Sequence, residues 1–245
     1  MTALSHSADH RFKSGWAHPI RQGPWRPFRE AVVTEVDLHI HSMFSPDSRS
    51  RPEAILKRAV EIGLGAVAVT DHNSWKGAQA ARRIAPKNLL VVPGAELKTE
   101  RGDLLALFVD EDIQTRVFAQ AVDEVRSRGG IAVVPHPGDA PRMRKEDIAL
   151  ADAVEVFNAT LHPGQNAVSA SFAKELGKPG IGVSDAHMVR EVGNGATRIA
   201  DCSTVGEIRE VLLKNPEVSR RTESNYVLHK ANSITLFGLK GLWRR

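Results

Sequence analysis

The chain has 245 residues, 42% hydrophobic and 25% charged, with a formal net charge of +4. That balance suits a soluble globular chain with a sizeable core, built as one barrel-sized domain or two small ones. The one cysteine, Cys202, excludes an intramolecular disulfide and a thiolate metal cage.

Residues 1–30 hold "RFKSGWAHPIRQGPWRPFRE", rich in Arg, Pro and Trp and without a steady period. This stretch reads as an arm, loosely ordered or draped over a surface. Its basic residues with Trp16 and Trp25 suit contact with nucleic acid, or a plain packing arm. No apolar signal core opens the chain, and no run of 18 apolar residues follows. The expectation is a cytoplasmic protein without a membrane span. The basic balance, with a pI of about 9.4, suits an anionic partner such as a phosphate ester without selecting one.

From Val32 onward, short apolar runs alternate with helical patterns. The runs are "AVVTEVDLHIH", "LGAVAVTDH", "NLLVVPGAEL", "DLLALFV", "GIAVVPH", "DAVEVFNA", "KPGIGVSDAH" and "ATRIAD". Continuous Val, Ala, Ile and Leu suit strands buried on both faces. Between them, "RPEAILKRAVEIG", "WKGAQAARRIAP", "DIQTRVFAQAVDEVRSRGG", "NAVSASFAKELGKPG" and "TVGEIREVLLKNP" have helical spacing, the first with Pro52 near its start and Gly63 at its end. The alternation predicts an α/β fold with a mainly parallel sheet. Residues 31–245 read as one domain with a tail from about 220. In that tail Leu236, Phe237, Leu239, Leu242 and Trp243 stand beside Lys240, Arg244 and Arg245. Such a tail docks on its own domain or faces a partner or membrane surface.

Nearly every predicted strand ends in a side chain able to bind a metal. His39 and His41 close the first, Asp71 and His72 the second, and Glu96 the third. His136 closes "AVVPH", and Asp185 with His187 closes "GVSDAH". In parallel α/β folds the carboxyl ends of the strands share one rim. Alternate residues on a strand point the same way, so His39 and His41 lean into one pocket. So many imidazoles and carboxylates cannot stay together unpaired. Nitrogen and oxygen ligands without sulfur imply two or three divalent ions, of Mn, Zn or Fe.

In order and spacing, "DLHIHSMFSPDS", "AVAVTDHNSWKG", "PGAELKTERGDLLALF", "AVVPHPGDAPR" and "GVSDAHMVREVG" resemble the motifs of the PHP (polymerase and histidinol phosphatase) family of metal-dependent phosphoesterases, its small stand-alone members above all. The likeness covers roughly residues 34–200. It implies a distorted (β/α)7 barrel with a trinuclear metal site at the C-terminal ends of the strands. Carried over, His39, His41 and Asp185 bind a first ion, and Glu96 bridges it to a second held by His136. Asp47, His72 and His187 hold a third. Asp71 and Asp37 support the ligands. One departure stands out: many members have a histidine where this chain has Asp103, which ligates through oxygen or is a loop acid.

The chemistry implied is hydrolysis of a phosphomonoester, a nucleotide or a short oligonucleotide by a hydroxide bridging the ions. Arg142, after "PHPGDAP", is placed to clamp a phosphate, and it joins His187 as a candidate catalytic residue. Lys98 and Arg190 are weaker cationic candidates, and Asn158 suits a ligand contact or a strand-end role. Two other readings compete. Metal-dependent amidohydrolase barrels also open on H-x-H, and a non-catalytic metal-binding PHP module would keep the fold without turnover.

Overall fold

The computed structural model describes residues 34–224. The arm at 1–30 and the apolar and basic tail residues from Leu236 on lie outside them. The elements in chain order are β1 (Thr34–Ile40), α1 (Pro52–Glu61), β2 (Ala66–Val69), α2 (Lys76–Ile84), β3 (Leu90–Val92), β4 (Gly94–Lys98), β5 (Asp103–Leu107), α3 (Phe118–Ser127), β6 (Ile131–Val134), α4 (Lys145–Leu150), β7 (Ala153–Asn158), α5 (Pro163–Leu176), β8 (Gly180–Val183), β9 (Gly195–Ile199), α6 (Val205–Val211) and β10 (Glu217–Arg221). Among the described residues no helix is long and apolar enough to cross a membrane.

The strands form two five-stranded sheets, ordered β10-β9-β1-β2-β3 and β4-β5-β6-β7-β8. The predicted α/β character is present, but the predicted mainly parallel sheet is not. Parallel pairs run through β1–β2–β3 and β6–β7–β8, whereas β10–β9–β1 and β4–β5–β6 are antiparallel. The cause is connection length. Only residues 99–102 separate β4 from β5, enough for a hairpin and far too few for a helical crossover.

A closed seven-stranded barrel is likewise not seen in the strand ladders. The two sheets meet through isolated bridges, Ile40 with Ala186 and His72 with Glu96. "NLLVVPGAEL", expected as one strand, is split at Pro93, which has no N–H to give to a ladder. The chain leaves the first sheet at β3 and enters the second at β4.

Strand alternation builds three apolar layers. Val36, Leu38, Ala68, Leu105, Val133 and Ile181 belong to an inner layer fed by both sheets, to which Ile208 of α6 and Leu212 just after it are added. The opposite faces of the same strands pack outward. Val67 and Val69 meet Ile55 and Leu56 of α1, and Leu104, Ala106 and Ala132 meet Phe118 and Val122 of α3. Both faces are therefore buried, which is why the strands read as unbroken apolar runs.

β1 departs from this rule where it matters. Val36 and Leu38 face the inner layer but Ile40 faces the outer one, so the alternation slips by one residue. The β1–β2 register shifts between Asp37 and Ile40, at the same place. A strand's faces exchange when its register moves by one. The slip lets His39 and His41 share the interior with Val36 and Leu38.

Candidate metal centre

Five imidazoles and five carboxylates gather at one end of the inner layer: His39, His41, His72, His136 and His187 with Asp47, Glu96, Asp103, Glu155 and Asp185. His41, His72, Asp185 and His187 follow the ends of β1, β2 and β8, and His136 follows β6. Glu96, expected to close a strand, lies in the middle of β4, opposite Leu105. Asp103 opens β5. β5 runs antiparallel to β4 and β6, so its first residue lies where β6 ends.

The ligating atoms form three overlapping groups, each within 4.8 Å: His41, Asp47, His72 and His187; His39, His41 and Glu96; Glu96, Asp103 and His136. His41 and Glu96 are shared. Asp185 joins the second group, its Oδ1 lying 3.4 Å from His39 Nε2 and 3.2 Å from His41 Nε2. In the first, Asp47 Oδ2 lies 3.1 Å from His72 Nε2 and 3.2 Å from His187 Nε2. All these residues are buried except His72, Asp103 and His136, which are partly buried.

The backbone is bent to serve the cluster. His136 has φ of 33° and Asp185 of 49°, left-handed values that cost non-glycine residues roughly 1–3 kcal/mol each. Gly77 allows a close approach nearby. A Cβ on it would lie 1.8 Å from Asp71 Oδ2 and 2.5 Å from Ser42 Oγ, so only glycine lets the first turn of α2 sit here.

Without cations the charges are poorly matched. His39 Nε2 and His41 Nε2 face each other at 3.0 Å. Burial works against charge on both rings. On His39, Asp185, Glu155 and Glu96 overcome it and raise the pKa well above the imidazole range. On His41 burial prevails, helped by His187, and lowers it to about 4. Burial also opposes charge on His72 and His136, yet Glu96, aided at His72 by Asp47, raises them to about 10 and about 9. Burial would raise the acids, but the neighbouring histidines hold Asp47, Glu96 and Asp185 below the carboxylate range.

Some polar atoms find no hydrogen bond at all. Glu96 Oε2, His72 Nδ1 and His41 Nδ1 are buried and unsatisfied, although Glu96 Oε2 and His72 Nδ1 are 2.9 Å apart. Nearness without hydrogen-bond geometry leaves the buried groups unsolvated, a costly arrangement. Cations among these lone pairs would satisfy them, so the residues fit divalent ions of the nitrogen- and oxygen-preferring kind.

Asp71 contacts Ser42, beside the ligand His41, accepting from its N–H at 2.6 Å and its hydroxyl at 2.7 Å. Asp37 accepts from the Ser184 and Gly193 N–H groups and thereby ties β1 to the strand-end loops. Burial raises both acids to about 6. Asn158 is fully engaged, giving Nδ2 to Glu155 and Asp185 and accepting at Oδ1 from Thr160. Asp103 lies beside Glu96 and His136 but also pairs with Lys98 at 3.2 Å. Arg142 and Arg190 are exposed, and neither joins the cluster's ion pairs.

Glu155 escaped the sequence reading. It is fully buried in β7, accepting from His39 Nδ1 at 2.7 Å and from the His136 N–H and Asn158 Nδ2 at 2.9 Å each. It fixes the His39 tautomer and turns Nε2 into the cluster. The available signal was an acid in the otherwise apolar run "AVEVF".

Comparison with known proteins gives the arrangement a family. Residues 163–215 match the model described as "PHP-associated". An uncharacterized protein of Methanocaldococcus jannaschii is 35% identical over 145 residues, 51% of this chain and 82% of that protein. A two-domain protein of Bacteroides vulgatus, containing a predicted PHP-like metal-dependent phosphoesterase, superposes with a TM-score of 0.65 at 19% identity, covering 82% of this chain and 70% of its own. The lesion-specific endonuclease of Pyrococcus furiosus gives 0.57 at 15% identity, covering 76% and 57%. The chain belongs to the PHP family, the polymerase and histidinol phosphatase family of metal-dependent phosphoesterases.

Proposed function

We propose that this chain hydrolyses phosphate esters with two or three divalent ions, Mn, Zn or Fe, acting on a phosphomonoester, a nucleotide or a short oligonucleotide. The carrying observation is the convergence of His39, His41, Asp47, His72, Glu96, Asp103, His136, Asp185 and His187 in three overlapping groups around unsatisfied buried lone pairs. Family membership supports it, and the endonuclease likeness favours a nucleic-acid or nucleotide substrate. The two sheets meeting at both bridges suit a distorted barrel of the family type. We place the protein in the cytoplasm, where a lone Cys202 stays reduced.

In this reading His39, His41, Asp185 and Glu96 hold one ion, and Glu96, His136 and Asp103 a second. Asp47, His72 and His187 hold a third. Bound ions would lower the pKa of water and neutralise charge growing on the phosphoryl oxygens. The chain's own part is to present lone pairs and exclude water. Glu155 holds the His39 Nδ1 proton away from the cluster. Asn158 and the Thr160 hydroxyl hold Asp185 Oδ2, leaving Oδ1 toward His39 and His41. Lys98, at the mouth beside Asp103, and Arg142 are the cations we assign to substrate oxygens.

The test is phosphate release from an aryl phosphate with added Mn. Activity lost on chelation and in His39→Ala supports the reading. Turnover only of amides or lactones supports an amidohydrolase instead, and metal binding without turnover a non-catalytic module.

A further inference from the structure

β4 and β5 form a hairpin in which Lys98, the last residue of β4, lies opposite Asp103, the first of β5. Alternate residues on a strand share a face, so Lys98 stands on the same face as Glu96. Its ammonium bridges the Asp103 carboxylate, with Nζ 3.2 Å from Oδ1 and 3.3 Å from Oδ2. The backbone around the pair is held. The Lys98 N–H donates to Asn73 Oδ1, and the Thr99 N–H and hydroxyl both donate to the Gly102 oxygen. The ion pair is therefore set by the hairpin and its register.

This pair sets one part of the cluster apart. Among the described residues, Asp47, Glu96 and Asp185 have only histidines within ion-pair distance. Asp103 alone of the candidate ligand acids already holds a lysine, on both of its oxygens. Yet Asp103 also offers a ligand atom to the space shared with Glu96 and His136. An ion there meets the ammonium on the same carboxylate, and a divalent charge repels it at such short range. The Asp103 side chain is 18% exposed and that of Lys98 53%. The ammonium thus reaches in from the mouth and has water to withdraw into. A half-exposed pair of this kind is weak, so a divalent ion displaces it, at a cost in its own affinity.

We propose that Lys98 is an internal counter-ion for Asp103 that the ion at Glu96, His136 and Asp103 must displace. The chain's own cation holds down the affinity of this one ion, so its occupancy follows metal supply. Its arrival frees the ammonium for an oxygen of the substrate. The exchange presupposes the metal reading of the cluster, but it is testable by metal binding alone, without turnover.

The experiment titrates Zn against a chromophoric chelator in wild type, Lys98→Met, Lys98→Arg, Asp103→Asn and the double variant Lys98→Met, Asp103→Asn. Circular dichroism checks each fold. Expected in Lys98→Met is one ion bound about threefold to tenfold more tightly, with the other affinities unchanged. Lys98→Arg, which keeps the cation, should not tighten it. In the Asp103→Asn background the lysine substitution should move that affinity by less than about twofold, because the shared carboxylate is gone. To follow the ammonium itself, the lysines are reductively methylated with carbon-13, and the resonance missing in Lys98→Met is monitored. It should shift with the equivalent of Zn whose affinity Lys98→Met changes. Unchanged affinity in Lys98→Met, equal tightening with and without Asp103, or a Lys98 resonance indifferent to Zn overturns the exchange and leaves the metal centre standing. A folded wild-type chain that binds no Zn overturns both.

Discussion

Glu155→Gln tests how the cluster is prepared for cations. Glu155 Oε2 takes hydrogen bonds from the His136 N–H and Asn158 Nδ2, and Oε1 takes one from His39 Nδ1. Glutamine keeps a single oxygen. Placed on the two donors that Oε2 serves, that oxygen leaves an NH₂ group facing His39 Nδ1. The imidazole must then accept there and carry its proton on Nε2, the atom 3.5 Å from Glu96 and 3.4 Å from Asp185. The lone pair meant for an ion is lost. Partners of this kind are worth about 10- to 100-fold in metal affinity, or about 1.4–2.8 kcal/mol. Losing a buried charge-assisted hydrogen bond also costs about 1.5–3 kcal/mol of stability. Competition against a chromophoric chelator, with thermal melts beside it, reads both quantities. A folded Glu155→Gln protein binding Mn as tightly as wild type would refute the tautomer argument.

Other substitutions and conditions probe separate parts of the account. Asp103→Asn should weaken the ion assigned to Glu96 and His136 without unfolding the chain, seen as fewer Mn bound per chain at limiting metal. Gly77→Ala should lower the melting temperature by several degrees, because its Cβ would lie 1.8 Å from Asp71 Oδ2 and overpacking costs about 1–3 kcal/mol. Raising pH should strengthen metal binding, since ions must displace the protons held by His72 and His136, whose pKa values are raised to about 10 and about 9. Calorimetry in buffers of different ionisation enthalpy counts those released protons. For chelated protein the sign reverses: the raised pKa of His72 stabilises the fold fully below about 6.5 and is lost as pH climbs toward 10. Melts of the chelated chain should therefore weaken across that range, and a flat profile contradicts the pairing.

Much of this centre was legible before any coordinates, and the reason is periodicity. Strands buried on both faces are mostly apolar until they emerge, so the polar clusters in "DLHIH", "VTDH", "VVPH" and "VSDAH" mark strand ends. Glu96 was legible as a residue but not as a position, because Pro93 hides a sheet change inside an apolar run. The antiparallel β4–β5 hairpin was hidden for the same reason, its strands being as apolar as parallel ones. α4 was too short to show a period, and β10, "EVSRR", is half-exposed and polar. The β1 slip at His39 depends on pairing with β2, which no local pattern encodes. Glu155 and the Asp71–Ser42 contact were missed because their partners are distant in sequence.

Metal content tests the central claim most directly. Purified chain reconstituted with Mn and freed of excess should hold about two to three ions by elemental analysis, and the double variant His39→Ala, Glu96→Gln should hold fewer while remaining folded. A metal-free wild-type chain, or one whose metal content ignores those substitutions, would contradict the account.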